Sequence, residues 1–156
     1  MDTGDEATPD GRVVLVIDDE KPIAEAVARY LTLHGWDARV RADPRRALAE
    51  AIDDPPFAVV TDLDLPGLDG ATLARRLRRP PGERAPRIVY ISADTPYPED
   101  APFADEFFAK PFRVSALERR LRLWAHEDEA RRSSGTRLRR PEATDDADPK
   151  KRDAGA

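Results

Sequence analysis

The sequence predicts an α/β domain with a doubly wound, five-stranded parallel sheet. Three observations predict it. The chain has 156 residues, which suits about one domain with a real core. Short apolar, often β-branched runs alternate with stretches whose apolar residues recur at helical spacing. Several of those runs stop abruptly at a charged or hydroxyl residue. Buried strands separated by helices imply a parallel sheet covered on both faces. In such sheets the ligand site lies at the carboxyl ends of the strands.

Arg12 to Ile17 is the first candidate strand, closed by Asp18-Asp19-Glu20. From Pro22, the residues Ile23, Val27, Tyr30 and Leu31 fall on one helical face, and Gly35 stops the pattern. Trp36, Ala38 and Val40 alternate with polar residues, as in a strand exposed on one face. Asp43-Pro44 reads as an N-cap with proline at the first helical position, followed by the stripe Ala47, Leu48 and Ala51. Asp53-Asp54-Pro55-Pro56 breaks that helix. Phe57 to Thr61 is a buried-type strand ending at Asp62. A loop with Pro66-Gly67 and Asp69-Gly70 leads into a helix marked by Leu73 and Leu77, which Pro80-Pro81-Gly82 ends. Arg87 to Ile91 is a fourth strand, ending at Ser92, and Phe107-Phe108-Ala109 a fifth, ending at Lys110-Pro111. Val114, Leu117, Leu121 and Trp124 share one face of a last helix.

Residues 1–11 hold no large apolar side chain after Met1 and read as a disordered leader, leaving 12–126 as the domain. Residues 127–156 read as the end of the last helix and a charged, mostly disordered tail. That segment carries eight acids and eight bases, so the whole net charge of −5 belongs to the first 126 residues. An acidic domain argues against nucleic acid as the partner. The absence of cysteine excludes a disulfide framework, a thiol nucleophile and a thiolate metal site. The longest strongly apolar run, Val13 to Ile17, is far too short to cross a membrane. A cytoplasmic protein with no membrane contact is expected.

The strand-ending residues carry the chemistry. Asp18, Asp19 and Asp62 would converge on one crevice, and clustered carboxylates need a cation. Carboxylate oxygens suit a hard divalent ion such as Mg²⁺. Lys110 adds a mobile positive charge and Ser92 a hydroxyl, which together can hold a phosphoryl group. An Asp carboxylate can itself accept that group as an acyl phosphate. Each residue alone is ordinary: an Asp pair often caps a helix, and a strand-ending Asp often makes a turn. Their joint placement at four strand ends is the informative feature.

With those residues in view, the stretch from about Arg12 to about His126 resembles the receiver domain of two-component response regulators, the chemotaxis-regulator-like fold. The matching motifs are Val14-Leu15-Val16-Ile17-Asp18-Asp19-Glu20, Val59 to Gly70, Ile91-Ser92-Ala93, and Phe107-Phe108-Ala109-Lys110-Pro111-Phe112. The second is the most specific, with Asp62 four residues before Pro66-Gly67 and seven before Asp69-Gly70. The resemblance implies a flavodoxin-like strand order 2-1-3-4-5. It implies Asp62 as phosphoacceptor and Mg²⁺ held by Asp18, Asp19, Asp62 and the backbone carbonyl of Asp64. Ser92 and Lys110 would bind the phosphoryl oxygens. Ser92 and Phe107 would form the switch, and Pro111 would follow a cis peptide bond. The donor would be a histidine kinase or a histidine phosphotransfer protein, and the output an unknown downstream protein or a further relay step. A single-domain, stand-alone regulator is expected, performing no reaction beyond its own phosphorylation and dephosphorylation.

Ser92 and Lys110 are 18 positions apart, about one helical turn fewer than the family usually has. Pro96, Pro98 and Pro102 fall in that interval, and each removes a helical donor. The fourth helix is therefore expected to be shortened or missing, with Phe103 plugging the apolar surface it would cover. The competing reading is a haloacid-dehalogenase-like Mg²⁺-dependent phosphatase with Asp62-Leu63-Asp64 as its nucleophile motif. That motif normally sits on the first strand, whereas here it follows the third.

Overall fold

The computed structural model describes residues 11–78, 85–93 and 103–137. Five strands, β1 (Val13–Ile17), β2 (Asp37–Arg41), β3 (Ala58–Asp62), β4 (Arg87–Ser92) and β5 (Glu106–Ala109), form one sheet in the order β2-β1-β3-β4-β5. Every pairing is parallel. The helices are α1 (Lys21–Leu33), α2 (Pro44–Asp53), α3 (Gly70–Leu77) and α4 (Val114–Arg137). The expected doubly wound sheet and its strand order are those observed.

Strand order fixes which helix covers which face. From β1 the chain steps one way to β2, and from β2 onward it steps the other way. Right-handed crossovers therefore put α1 on one face and α2 and α3 on the opposite one. The core on the second face joins Leu15, Ile17, Val59, Ile88 and Tyr90 of the sheet to Ala47, Leu48 and Ala51 of α2 and Leu73, Ala74 and Leu77 of α3. Alternate strand residues Val14, Val16 and Val60 point to the other face and are equally buried. There α1 contributes Ala24, Val27 and Leu31. β3 is buried along its whole length, as a central parallel strand must be. β2 at the edge is only half-buried, which explains its alternating polar pattern.

The helix starts follow from local chemistry. Asp43 caps α2 by accepting from Arg45 N at 3.0 Å, and Asp69 caps α3 by accepting from Thr72 N at 2.8 Å. Trp36 precedes β2 instead of lying in it, and it is buried. Its indole N–H donates to Glu118 Oε2 at 3.0 Å, and Arg122 Nη2 donates to the same oxygen at 2.6 Å.

No helix separates β4 from β5 among the described residues. Residues 94–102, where the expected shortened or missing helix falls, lie outside them. On the near side of β5, Phe103 and Phe107 pack against the α2–α3 core. Arg78, just after α3, donates to the Phe103 carbonyl and faces Asp105 at 3.7 Å. Asp105 in turn accepts from Ile88 N at 2.8 Å, extending the β4–β5 edge by a side chain.

One compact unit runs through Arg122, and a second begins at Leu123. α4 continues to Arg137, well past the apolar stripe seen in the sequence. The leader at 1–10 and the tail at 138–156, both expected to be disordered, lie outside the described residues. No helix among the described residues is long and apolar enough to cross a membrane.

Candidate functional site

The direction of chain travel reverses between β1 and β3, which are neighbours in the sheet. Their carboxyl ends therefore flank the switch-point crevice. Asp18 directly follows β1 and is 5% exposed, and Asp62 is the last residue of β3 and 7% exposed. Ser92 ends β4 and is buried, and Lys110 follows β5. The Lys110 N–H donates to the Ser92 carbonyl at 2.8 Å, which fixes where the lysine side chain starts. The Lys110-Pro111 peptide bond is cis, as expected.

From there Lys110 reaches across the crevice. Its Nζ lies 2.9 Å from Asp62 Oδ2, 3.1 Å from Asp18 Oδ2 and 3.0 Å from Glu20 Oε1. Burial disfavours the ammonium charge, but hydrogen bonds to Asp62, Glu20 and Asp18 outweigh it and hold the lysine above its ordinary pKa. Asp18 goes the other way for a carboxylate. Burial raises its pKa, and the Glu20 N–H and Lys110 only partly counter that. The remaining Asp62 oxygen, Oδ1, accepts from Asp64 N at 3.0 Å. Asp62 thus has both carboxylate oxygens held by hydrogen-bond donors.

Gly70 explains part of the motif downstream. A Cβ there would lie 2.5 Å from the Asp62 carbonyl oxygen and 3.0 Å from Leu63 Cα. The N-terminus of α3 can press against the end of β3 only because this residue lacks a side chain. Gly67, at φ 88°, supplies the left-handed turn that brings the chain back.

The residues singled out in the sequence are not all placed alike. Asp18, Asp62 and Lys110 meet in the crevice. Ser92 stands at the end of the neighbouring strand. Phe107 pairs in register with Tyr90 and packs on the core. Asp64 enters through its backbone, with its side chain exposed. Asp19 is exposed, and among the described residues the carboxylates whose oxygens lie within 4.8 Å of one another are those of Asp18, Glu20 and Asp62. In the sequence Glu20 reads only as part of the charged run that closes the first strand. Its proximity to the Asp pair was the signal available. An all-oxygen donor set of this kind fits Mg²⁺, with solvent completing the coordination.

Residues 14–122 match the family described as the response regulator receiver domain. The chain belongs to that family. Receiver domains are the phosphorylation-based signalling modules of two-component systems. Response regulator MprA of Mycolicibacterium vanbaalenii is 34% identical over 112 residues, covering 70% of this chain and 48% of that protein. The phosphate regulon transcriptional regulatory protein PhoB of Pseudomonas aeruginosa is 33% identical over 118 residues, covering 72% and 51%. The chain thus spans about half the length of the curated relatives it matches. Among solved structures, a putative response regulator from Chloroflexus aurantiacus superposes with a TM-score of 0.63 at 31% identity, covering 70% of this chain and 93% of that one. The receiver domain of the sensor histidine kinase PA1611 of Pseudomonas aeruginosa, with a magnesium ion coordinated in its active-site cleft, superposes with a TM-score of 0.60 at 27% identity, covering 73% and 97%.

Proposed function

We propose that this receiver domain takes a phosphoryl group from a phosphohistidine donor onto Asp62. The donor is a histidine kinase or a histidine phosphotransfer protein. An Asp62 carboxylate oxygen forms the new bond to phosphorus as the donor's P–N bond breaks and the imidazole leaves with the bonding pair. Asp18, Asp19, Asp62 and the Asp64 carbonyl would hold Mg²⁺, which would supply positive charge beside the transferring oxygens. Lys110 turns from the carboxylates to those oxygens, and the Ser92 hydroxyl donates to another. Loss of Lys110 from the carboxylates and movement of Ser92 and Phe107 form the switch. A downstream protein, or the next carrier of a relay, reads the altered surface in the cytoplasm. Water later attacks the acyl phosphate, releasing inorganic phosphate and restoring Asp62.

The observation that carries this reading is the Lys110 Nζ held 2.9 Å from Asp62 Oδ2 beside two further carboxylates. A lone turn-forming Asp has no use for such a neighbour. The position of Asp62 on the third strand favours a receiver over a dehalogenase-like phosphatase. Labelling with acetyl phosphate in Mg²⁺ should modify the parent chain once, and Asp62→Asn should take no label. Full labelling of Asp62→Asn would move the acceptor elsewhere. Sustained turnover of a generic phosphomonoester would instead support the phosphatase.

A further inference from the structure

Glu20 occupies the N-cap of α1, where a side-chain oxygen ordinarily accepts from the first turn. Its backbone behaves as a cap, the carbonyl accepting from Ile23 N at 3.0 Å and Ala24 N at 3.1 Å. Its side chain makes no capping bond and turns instead to Lys110 Nζ. Its own N–H is held by Asp18 Oδ1 at 2.9 Å, so the backbone is fixed from both sides. The side chains of Asp18 and Asp62 are 5% and 9% exposed, whereas that of Glu20 is 56% exposed. Glu20 is therefore the one carboxylate of the three standing at the mouth of the crevice.

An ammonium has three donors, and all three of Lys110 are spent on these carboxylates. To bind a phosphoryl oxygen the lysine must surrender at least one. The exposed pair is the cheapest to break, because solvent screens it and water replaces the lost partner. We propose that Glu20 is a positioning residue that parks Lys110 among the carboxylates and, through its charge at the crevice mouth, selects against small dianionic phosphodonors. A small donor such as acetyl phosphate brings little besides its charge and must approach past Glu20. A protein donor brings a docking surface against which one repelling charge counts little. This inference rests on Asp62 being the phosphoacceptor.

The reaction with acetyl phosphate joins an Asp62 oxygen to phosphorus and breaks the acetyl P–O bond, acetate leaving with the electron pair. Phosphoramidate serves as the contrast. Its nitrogen carries a proton that lowers the net charge to about −1, and it leaves as ammonia. With Mg²⁺ saturating, Glu20→Gln in the full chain should be labelled by acetyl phosphate about two- to fivefold faster than the parent, the rate equivalent of an exposed ion pair. The gain should be smaller with phosphoramidate, and Glu20→Asp, which keeps the charge, should stay near the parent rate. In the metal-free chain the ¹⁵N signal of the Lys110 ammonium should be sharp in the parent and broadened by faster exchange in Glu20→Gln. Equal or slower labelling of Glu20→Gln overturns the donor selectivity, and an unchanged Lys110 signal overturns the parking role. If the parent takes no label on Asp62 from either donor, the phosphoacceptor reading fails with the selectivity, and the Lys110 signal alone then judges the parking role.

Discussion

Lys110 Nζ and Asp62 Oδ2 lie 2.9 Å apart although 48 residues separate them in the chain. One follows β5 and the other ends β3, so the pair forms only when β4 has been laid between them. The contact couples completion of the sheet to the charge balance of the crevice.

Lys110→Met should expose that balance. With the ammonium gone, three carboxylates face one another and two of them are buried. The variant should lose about 2 kcal/mol or more in chelator, the scale set for removing one partner of a buried charge pair and lowered for the exposed Glu20. The lysine's pKa is raised in the fold, so its contribution is fully present below its ordinary 10.5 and fades only as pH rises above that. The difference between parent and variant in urea unfolding should therefore be unchanged in its lysine part from pH 7 to 9. The thermal gain on adding millimolar Mg²⁺ should be larger in the variant than in the parent. An equal gain would show that Lys110 does not compensate the site.

Asp18 should trade stability for metal binding. Burial raises its pKa, so folding favours its protonated form. That contribution is present below its ordinary 3.8 and is lost as pH rises through the folded value, leaving a cost at neutral pH. Asp18→Asn should then be at least as stable as the parent in chelator at pH 7, with the parent's disadvantage shrinking as pH falls through the acid range. It should also gain little melting temperature from Mg²⁺. Marked destabilisation in chelator at pH 7 would mean that the Lys110 bond outweighs burial.

Asp19 and Glu20 make an informative pair for calorimetry with Mg²⁺. Asp19 is exposed and forms no ion pair among the described residues, so its carboxylate can turn to a metal without first releasing a partner. Glu20 must first give up Lys110. Asp19→Ala should weaken Mg²⁺ binding by about tenfold or more, and Glu20→Ala by less. The reverse order would identify Glu20 as the ligand and Asp19 as a solvated neighbour.

Gly70→Ala should damage the site without touching its charges. The new Cβ meets backbone, which cannot rotate away, so β3 or α3 must shift. Overpacking of this kind costs about 1–3 kcal/mol. Urea unfolding should show that loss, and acetyl phosphate labelling at Asp62 should slow even where the variant is fully folded. Parent-like stability and labelling together would show that the α3 start is free to move.

Glu118 should be a structural residue far from the chemistry. It is 7% exposed and accepts from both Trp36 and Arg122. Glu118→Ala leaves a buried indole N–H without its acceptor and should cost about 1–3 kcal/mol. Unfolding followed by tryptophan fluorescence should show the loss, while the labelling rate of the folded fraction stays at the parent value.

The sequence by itself determined the class of the fold, the strand ends and most of the chemistry. Val14 to Ile17 and Ala58 to Val60 are apolar because a central parallel strand is covered on both faces, and that pattern is local. Asp43 caps its helix through an atom two residues away, so it too is legible in the chain, whereas Asp69 reads as loop in the sequence and is shown as a cap by the structure. The Asp62 motif carries its own spacing to Gly67 and Gly70, whose turn and close approach the structure supplies. The tertiary structure alone decided which carboxylates meet. Asp19 and Glu20 are adjacent and alike in charge, and only the path of the backbone into α1 turns one to Lys110 and leaves the other in solvent. It also decided that Trp36 would be anchored by Glu118, which sits 82 residues away on a helix whose apolar spacing gives no sign of a buried carboxylate. Local patterns record what each segment must bury, whereas pairing between distant side chains depends on the relative placement of whole elements, which no short window of sequence contains.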